Sequence, residues 1–322
     1  MKIRTIDLFA GIGGMRLGVE LAAKKLGIDF ENVFSSEIDK FSIQTYQANF
    51  PEKDIYGDIT QITDSEIKEL IPDHNILLAG FPCQPFSQAG LKQGFEDTRG
   101  TLFFDIMRIL KIKKPDTFIL ENVKHFKGHD KGRTLKVVLE NLRKYYYVPE
   151  PQILNARDFG VPQNRQRIFI VGFKNPFIEN FSYPAPLNKK KPIKVGNILE
   201  KEELIDTKYI ISTRLWDGHK RRKREHKIKG NGFGYGLFKD DSLYTNTISA
   251  RYYKDGSEAL ISRGSKNPRK LTPRECARLQ GFPDYFKLPV SDAQLYKQFG
   301  NSVAVPVVKN LSLKIIKILY NL

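Results

Sequence analysis

Cysteine is scarce: only Cys83 and Cys276 occur in 322 residues. Two thiols in unrelated settings make neither a disulfide framework nor a cysteine-based metal site. Acidic residues are also in deficit, 36 Asp and Glu against 53 Lys and Arg, for a net charge of +17. No apolar run approaches the roughly 20 residues of a membrane span. The first seven residues run directly into a strand-like pattern without a signal-peptide core. Internal repeats and low-complexity tracts are missing as well. These absences argue against a secreted, disulfide-stapled domain and against a membrane protein, and cytoplasmic residence is expected. A hydrophobic content of 40% is ordinary for a globular chain. At this length it can fill one large domain, or one domain plus a smaller one.

The excess positive charge is unevenly spread. Residues 189–271 hold 21 Lys and Arg against 10 Asp and Glu, a net of +11, leaving +6 for all the rest. A quarter of the chain with most of the charge points to a polyanionic partner, most simply nucleic acid. Within it, Lys220-Arg221-Arg222-Lys223-Arg224 precedes a glycine- and aromatic-rich stretch from Gly230 to Gly236. Cations beside flexible backbone suit phosphate contacts and close approach to bases.

Up to residue 173, short apolar strands (5–9, 33–35, 76–79, 117–120, 167–173) alternate with amphipathic helices (15–26, 40–49, 102–113, 133–144). This predicts an α/β fold, an open and mostly parallel sheet with helices on both faces. Prolines and a lysine triplet near 183–191 mark a boundary, beyond which about 80 residues read as irregular with short strands. Thr272-Pro273-Arg274-Glu275 starts a helix, with Thr as cap and Pro at the first position. The expected division is 1–188 with 300–322, a smaller basic domain at 189–271, and a connecting segment at 272–299.

Asp7-Leu8-Phe9-Ala10-Gly11-Ile12-Gly13-Gly14 reads as strand, glycine turn and helix start. Glycines there let a ligand approach backbone N–H groups. A dinucleotide fingerprint fails, because Arg16 occupies its third glycine position. Glu37, ending the second strand, is placed to hold ribose hydroxyls, and Asp58 to accept from an adenine amino group. A nucleoside ligand without a pyrophosphate cradle, such as S-adenosylmethionine, fits best.

The most informative run is Gly80-Phe81-Pro82-Cys83-Gln84-Pro85-Phe86-Ser87. Prolines on both sides of Cys83 forbid regular hydrogen bonding, so the thiol is presented at the carboxyl end of the strand 76–79. Glu121 ends the strand 117–120 and reaches the same edge of the sheet. Arg165 and Arg167 share a face by strand alternation and can steady a carboxylate or a phosphate. Cys276 sits inside a helix and is read as structural.

These runs, with 274–283 and Gly300-Asn301-Ser302-Val303, resemble the DNA (cytosine-5)-methyltransferases of bacterial restriction–modification systems over nearly the whole chain. The HpaII-like type is nearest, although the likeness fades over residues 242–263, where the family reads its DNA sequence. The resemblance implies a Rossmann-like, S-adenosylmethionine-dependent methyltransferase sheet with a smaller irregular, basic target-recognition domain. It further implies attack of Cys83 on C6 of a flipped-out cytosine, with Glu121, Arg165 and Arg167 completing the catalytic set. The cofactor would meet Phe9, Ala10, Gly11, Ile12, Gly13, Gly14, Glu37, Ile38, Asp58, Ile59, Gly80, Pro82, Leu102, Asn301, Ser302 and Val303. Double-stranded DNA would meet Gln84, Ser87, Arg99, Lys220, Arg221, Arg222, Arg224, Arg251 and Tyr252, with residues 88–100 closing as a loop. No metal is implied, a monomer suffices, and a cognate restriction endonuclease is a functional partner. Methylation of tRNA cytosine, a nicotinamide oxidoreductase and an inactive DNA-binding protein are the competing readings.

Overall fold

A computed structural model describes residues 2–51, 54–81, 102–175, 178, 181–187, 192–232 and 234–322. The chain divides into two compact units. One comprises Met1–Leu154, Gln166–Ala185 and Val307–Leu322; the other comprises Asn155–Arg165 and Pro186–Pro306. Both the segment before Arg165 and the segment expected as a connection, 272–299, therefore belong to the second unit.

The first unit runs β1 (Lys2–Leu8), α1 (Gly14–Leu26), β2 (Asp29–Ser36), α2 (Lys40–Asn49), α3 (Asp64–Leu70), β3 (Ile76–Gly80), α4 (Leu102–Lys113), β4 (Thr117–Val123), α5 (Arg133–Leu142), β5 (Gln152–Asn155) and β6 (Gln166–Phe173). Its six-stranded sheet has the order β2-β1-β3-β4-β6-β5. β1 pairs in parallel with β2 and β3, and β3 with β4, whereas β6 lies antiparallel to β4. The carboxyl ends of four strands thus share one edge, the place where such sheets bind ligands.

Alternation along the strands explains the core. Ile6 and Leu8, Leu77 and Ala79, Phe118 and Leu120, and Ile168 and Ile170 project from one face into a cluster with Phe103, Ile106 and Leu110 of α4 and Val138 and Leu142 of α5. α1 packs close against the carboxyl-terminal helix. A Cβ at Gly18 would lie 2.5 Å from the Cβ of Val308, so only glycine permits that approach.

The second unit contains α6 (Thr213–Ile228), β7 (Leu237–Phe238), α7 (Tyr252–Asp255), β8 (Leu260–Arg263), β9 (Lys266–Lys270), α8 (Pro273–Leu279) and α9 (Asp292–Asn301). The chain then enters α10 (Val305–Leu319), most of which belongs to the first unit. The region read as irregular therefore holds a 16-residue helix, α6. Its Lys, Arg and Glu are good helix formers, and the Ser212 hydroxyl caps it by accepting from the Leu215 N–H at 3.2 Å. α8 begins as its sequence suggests, with a reciprocal capping box between Thr272 and Glu275.

Candidate active site

At the end of β1 the chain turns sharply. Phe9 has φ 55°, Gly11 φ 54° and Gly13 φ 80°. Phe9, half-buried, is thus the first residue of the turn and not the last of the strand. Gly13 must lack a side chain, since a Cβ there would meet the Phe50 ring at 2.2 Å. Gly11 differs: no atom lies within 4 Å of its would-be Cβ, so its outer face is open. Ala10, Ile12, Gly13 and Gly14 are buried and support the turn from below.

Glu37 locks this turn to the end of β2. Its Oε2 accepts the Gly11 N–H at 2.7 Å, and its Oε1 accepts the N–H groups of Ile38 and Asp39 at 2.8 and 2.9 Å. A carboxylate oxygen holds more than one hydrogen bond, so a ribose can still be received. Ile38 beside it is 74% exposed, an apolar side chain displayed at the site's rim. Tyr56–Asp58 is drawn to the same edge: the Tyr56 N–H donates to Ser35 O, the Glu37 N–H to Tyr56 O, and the Ser36 hydroxyl to Gly57 O. Asp58 is exposed there, with Oδ1 held by the Thr60 N–H and hydroxyl, which keep its carboxyl below the usual range. Ile59 is buried behind it. An open glycine turn, a fixed carboxylate and a second carboxylate on one edge suit an adenosine-containing ligand.

Two strands away the edge changes character. Gly80 of β3 is in register with Glu121 of β4. Glu121 Oε1 pairs with Arg167 Nε at 3.0 Å, their side chains 13% and 16% exposed. Burial holds the Arg167 guanidinium below its ordinary pKa, with Glu121 acting against that shift. Glu121 Oε2 is directed over Gly80, 3.6 Å from where a Cβ would stand. Asn122 donates to Phe81 O at 2.9 Å and ties β4 to the stretch leading into residue 82. Leu102 opens α4, half-buried. Pro82, Cys83, Gln84, Ser87 and Arg99, and the expected loop 88–100, lie outside the described residues.

A model of the C-5 cytosine-specific DNA methylase family matches residues 3–317. The chain belongs to that family. It is 60% identical over 309 residues to the Type II methyltransferase M.NlaX of Neisseria lactamica, covering 96% of this chain and 95% of that one. It is 58% identical to M1.ScrFI of Lactococcus lactis, covering 99% and 79%. Identity to M.HpaII of Haemophilus parainfluenzae is 48%, covering 100% and 91%. The fold resembles that of the Dnmt2 methyltransferase of S. pombe, with TM-score 0.80, 22% identity and 99% and 100% of the two chains covered. The protein is thus a DNA (cytosine-5)-methyltransferase.

In the methylase's second unit, the run Gln163–Arg165 is a tie-point. The Arg165 guanidinium, 2% exposed, donates to Ile248 O at 3.0 Å, Gly300 O at 2.9 Å and Ser302 O at 2.5 Å. Gln163 donates to Leu279 O and accepts from the Ile248 N–H. Gly300 is packed so closely that a Cβ would meet the backbone of Ser249 at 2.2 Å. Asn301 ends α9 exposed, Ser302 follows half-buried, and Val303 is buried in this unit. Gln280, also buried, donates to Phe299 O at 2.8 Å; neither glutamine is assigned a role from the sequence, and their only signal is two amides inside otherwise apolar or basic motif runs.

The expected DNA-reading residues separate into two kinds. Lys220, Arg221, Arg222 and Arg224 are exposed on α6, and Arg251 is exposed before α7. Lys220 pairs with Asp217, Arg221 with Glu225, and Arg222 with Asp255. Tyr252, by contrast, is a core residue with 0% exposure. Its hydroxyl donates to Ala259 O at 2.7 Å and accepts the Leu271 N–H at 2.8 Å, which leaves it no role at a surface. Cys276 is wholly buried, and burial pushes its thiol well above the ordinary range. Among the described residues no group of side chains could hold a metal ion, and no helix is long and apolar enough to cross a membrane.

Proposed function

We propose that the enzyme methylates a cytosine flipped out of a short, specific double-stranded DNA sequence, through a covalent bond between Cys83 and C6. The protection of host DNA beside a restriction endonuclease would be its biological role. The observation that carries this reading is the Glu121–Arg167 pair, set at 3.0 Å at the end of β4 and in register with Gly80, three residues before Cys83. A cytosine ring is electron-poor, and its C5 is a weak nucleophile until C6 is attacked. The Cys83 thiolate forms the S–C6 bond, and the ring electrons move towards C5. Glu121 faces N3 and the exocyclic amine, where it stabilises the charge that attack places on the ring. Arg167 occupies Glu121 Oε1 and so fixes the carboxylate's orientation. Bound S-adenosylmethionine would supply the electrophilic methyl group that C5 accepts, held by the Gly11 turn, Glu37 and Asp58. Loss of the C5 proton to a base and elimination of Cys83 restore the ring. A base inside a duplex cannot reach these groups, so extrusion is required.

Bisulfite sequencing of unmethylated plasmid, incubated with enzyme and S-adenosylmethionine, tests the reading. One short recurring protected context, absent with Cys83→Ala, is expected. Duplexes carrying 5-fluorocytosine at that position lack an abstractable C5 proton and should trap a denaturation-resistant protein–DNA adduct. Methylation without any trapped adduct would refute the covalent step.

A further inference from the structure

The segment leaving β4 bears an unassigned basic surface. Residues Lys124–Gly132 form irregular helical turns that begin three residues after Glu121. Lys124, Lys127 and Lys131 are exposed and make no ion pair among the described residues. The one acidic residue of this segment, Asp130, is already paired with Arg133, whose charge in turn offsets it. Lys124 and Lys127, three residues apart in these turns, share a face, and Lys131 follows at the kink beside Asp130, whose carboxyl Arg133 chiefly, and Lys131 in part, hold below the usual range. Phe126, 0% exposed, anchors the segment by an edge-on contact with Phe81, 5.6 Å between centroids. Phe81 follows the last residue of β3, so the same contact ties the basic segment to the end of that strand, two residues before Cys83 in the sequence. Asp130, Lys131 and Gly132 follow one another at φ 49°, 55° and 87°. Left-handed backbone costs a non-glycine residue about 1 kcal/mol or more, and here the reversal presents Lys131 at an exposed bend.

We propose that Lys124, Lys127 and Lys131 form a phosphate-binding ridge of the catalytic unit, gripping the DNA backbone beside the reacting cytosine. The inference rests on the proposed function, because only a nucleotide at Glu121 brings phosphates here. From Glu121 to Lys124 the strand advances about 10 Å at ~3.3 Å per residue, and the lysine stem extends that reach. A base held at Glu121 thus has its sugar–phosphate within range of the Lys124 ammonium, the first of the three. Lysine serves as a point charge for phosphate and carries no base preference, so the ridge holds any sequence alike. Selection of the site is left to other residues, and the ridge secures the strand while its base is out of the stack.

The test is fluorescence anisotropy with the full-length enzyme on a methylatable and a scrambled duplex, from 50 to 200 mM salt. Wild type, K124Q/K127Q/K131Q and the control K24Q/K25Q, exposed lysines at the end of α1, are compared. The triple variant should flatten the slope of log K against log salt by roughly two to three, about one per lost phosphate contact. It should weaken both duplexes by the same factor, while K24Q/K25Q keeps the wild-type slope. A triple-variant slope equal to that of K24Q/K25Q would overturn the ridge. Singly neutralised K124Q and K127Q provide the same readout, about one each, should the triple variant fold poorly. A wild-type protein that binds neither duplex and protects no cytosine would instead sink the functional reading beneath it.

Discussion

Arg165 and Arg167 stand two residues apart, yet they work in different units by different means. Arg167 meets a carboxylate at the chemical edge of the sheet and keeps some exposure. Arg165 is buried and donates to three backbone carbonyls from two distant parts of the second unit. Arg167 orients the carboxylate to which the proposed function gives a role in the chemistry; Arg165 organises a scaffold. Two arginines of one short run thus have different partners, and substitution separates what each does. Arg165→Ala strands those carbonyls and should cost about 3 kcal/mol or more, read as a lowered urea midpoint of the full chain. Arg167→Ala leaves Glu121 without its partner and should lower that midpoint by less than Arg165→Ala does, while it lowers single-turnover methyl transfer by roughly 10²–10³, the usual range for one lost electrostatic partner. Equal effects of both variants on stability would erase the contrast.

Much of the first unit was legible because its physics is local. Periodicity placed β1, β2, β3, β4 and β6 and the helices α1, α2, α4 and α5 to within about four residues, missing the short α3 and β5, and Thr272-Pro273 announced α8. The failures have physical reasons too. α6 buries only His219, so it lacks the apolar stripe by which helices are read. Its fold-back partner is aromatic: Tyr235 packs on Trp216 at 4.6 Å and under the Lys223 ammonium at 4.2 Å. Tyr252 is expected to contact DNA because it lies in the stretch where the family reads its sequence, but the Tyr296 ring of α9 and the backbone at Ala259 and Leu271 enclose it. The bond from the Gly11 N–H to Glu37 joins residues 26 apart, a closure that no short motif displays.

The two units also bury carboxyl groups differently. Glu275, 0% exposed, is bound by both terminal nitrogens of Arg269 at 2.8 Å and accepts the N–H groups of Thr272 and Glu200. Asp7 lies under the glycine turn at 1% exposure, with Oδ2 lacking a partner among the described residues. Burial pushes its carboxyl up to about 8, against the opposing pull of Arg16, with Glu37 adding a small further rise. A folded-state pKa above the unfolded value means that the native form binds the extra proton. Stability from Asp7 is therefore full below about pH 4 and falls as pH rises towards 8. His74, whose pKa burial lowers to about 4, acts oppositely, but only below pH 6.5. Between pH 6.5 and 8 Asp7 should dominate of the two. Asp7→Asn should flatten the decline in melting temperature across that window, whereas a decline as steep as wild type would place the ionisation elsewhere.

The smallest effect distinguishes cations within α6. Arg222 donates to His219 Nδ1 at 2.8 Å and reaches Asp255 at 3.3 Å, so its charge is committed inside the second unit. Arg224 is exposed and makes no ion pair among the described residues. A guanidinium held by protein partners must surrender them to bind phosphate, whereas an uncommitted one only releases counterions from the DNA. Arg224→Gln should therefore reduce the salt slope of DNA binding by about one. Arg222→Gln should change that slope by less and instead lower the melting temperature slightly. The reverse order would mean that DNA draws Arg222 away from Asp255, and that α6 reorganises when DNA binds.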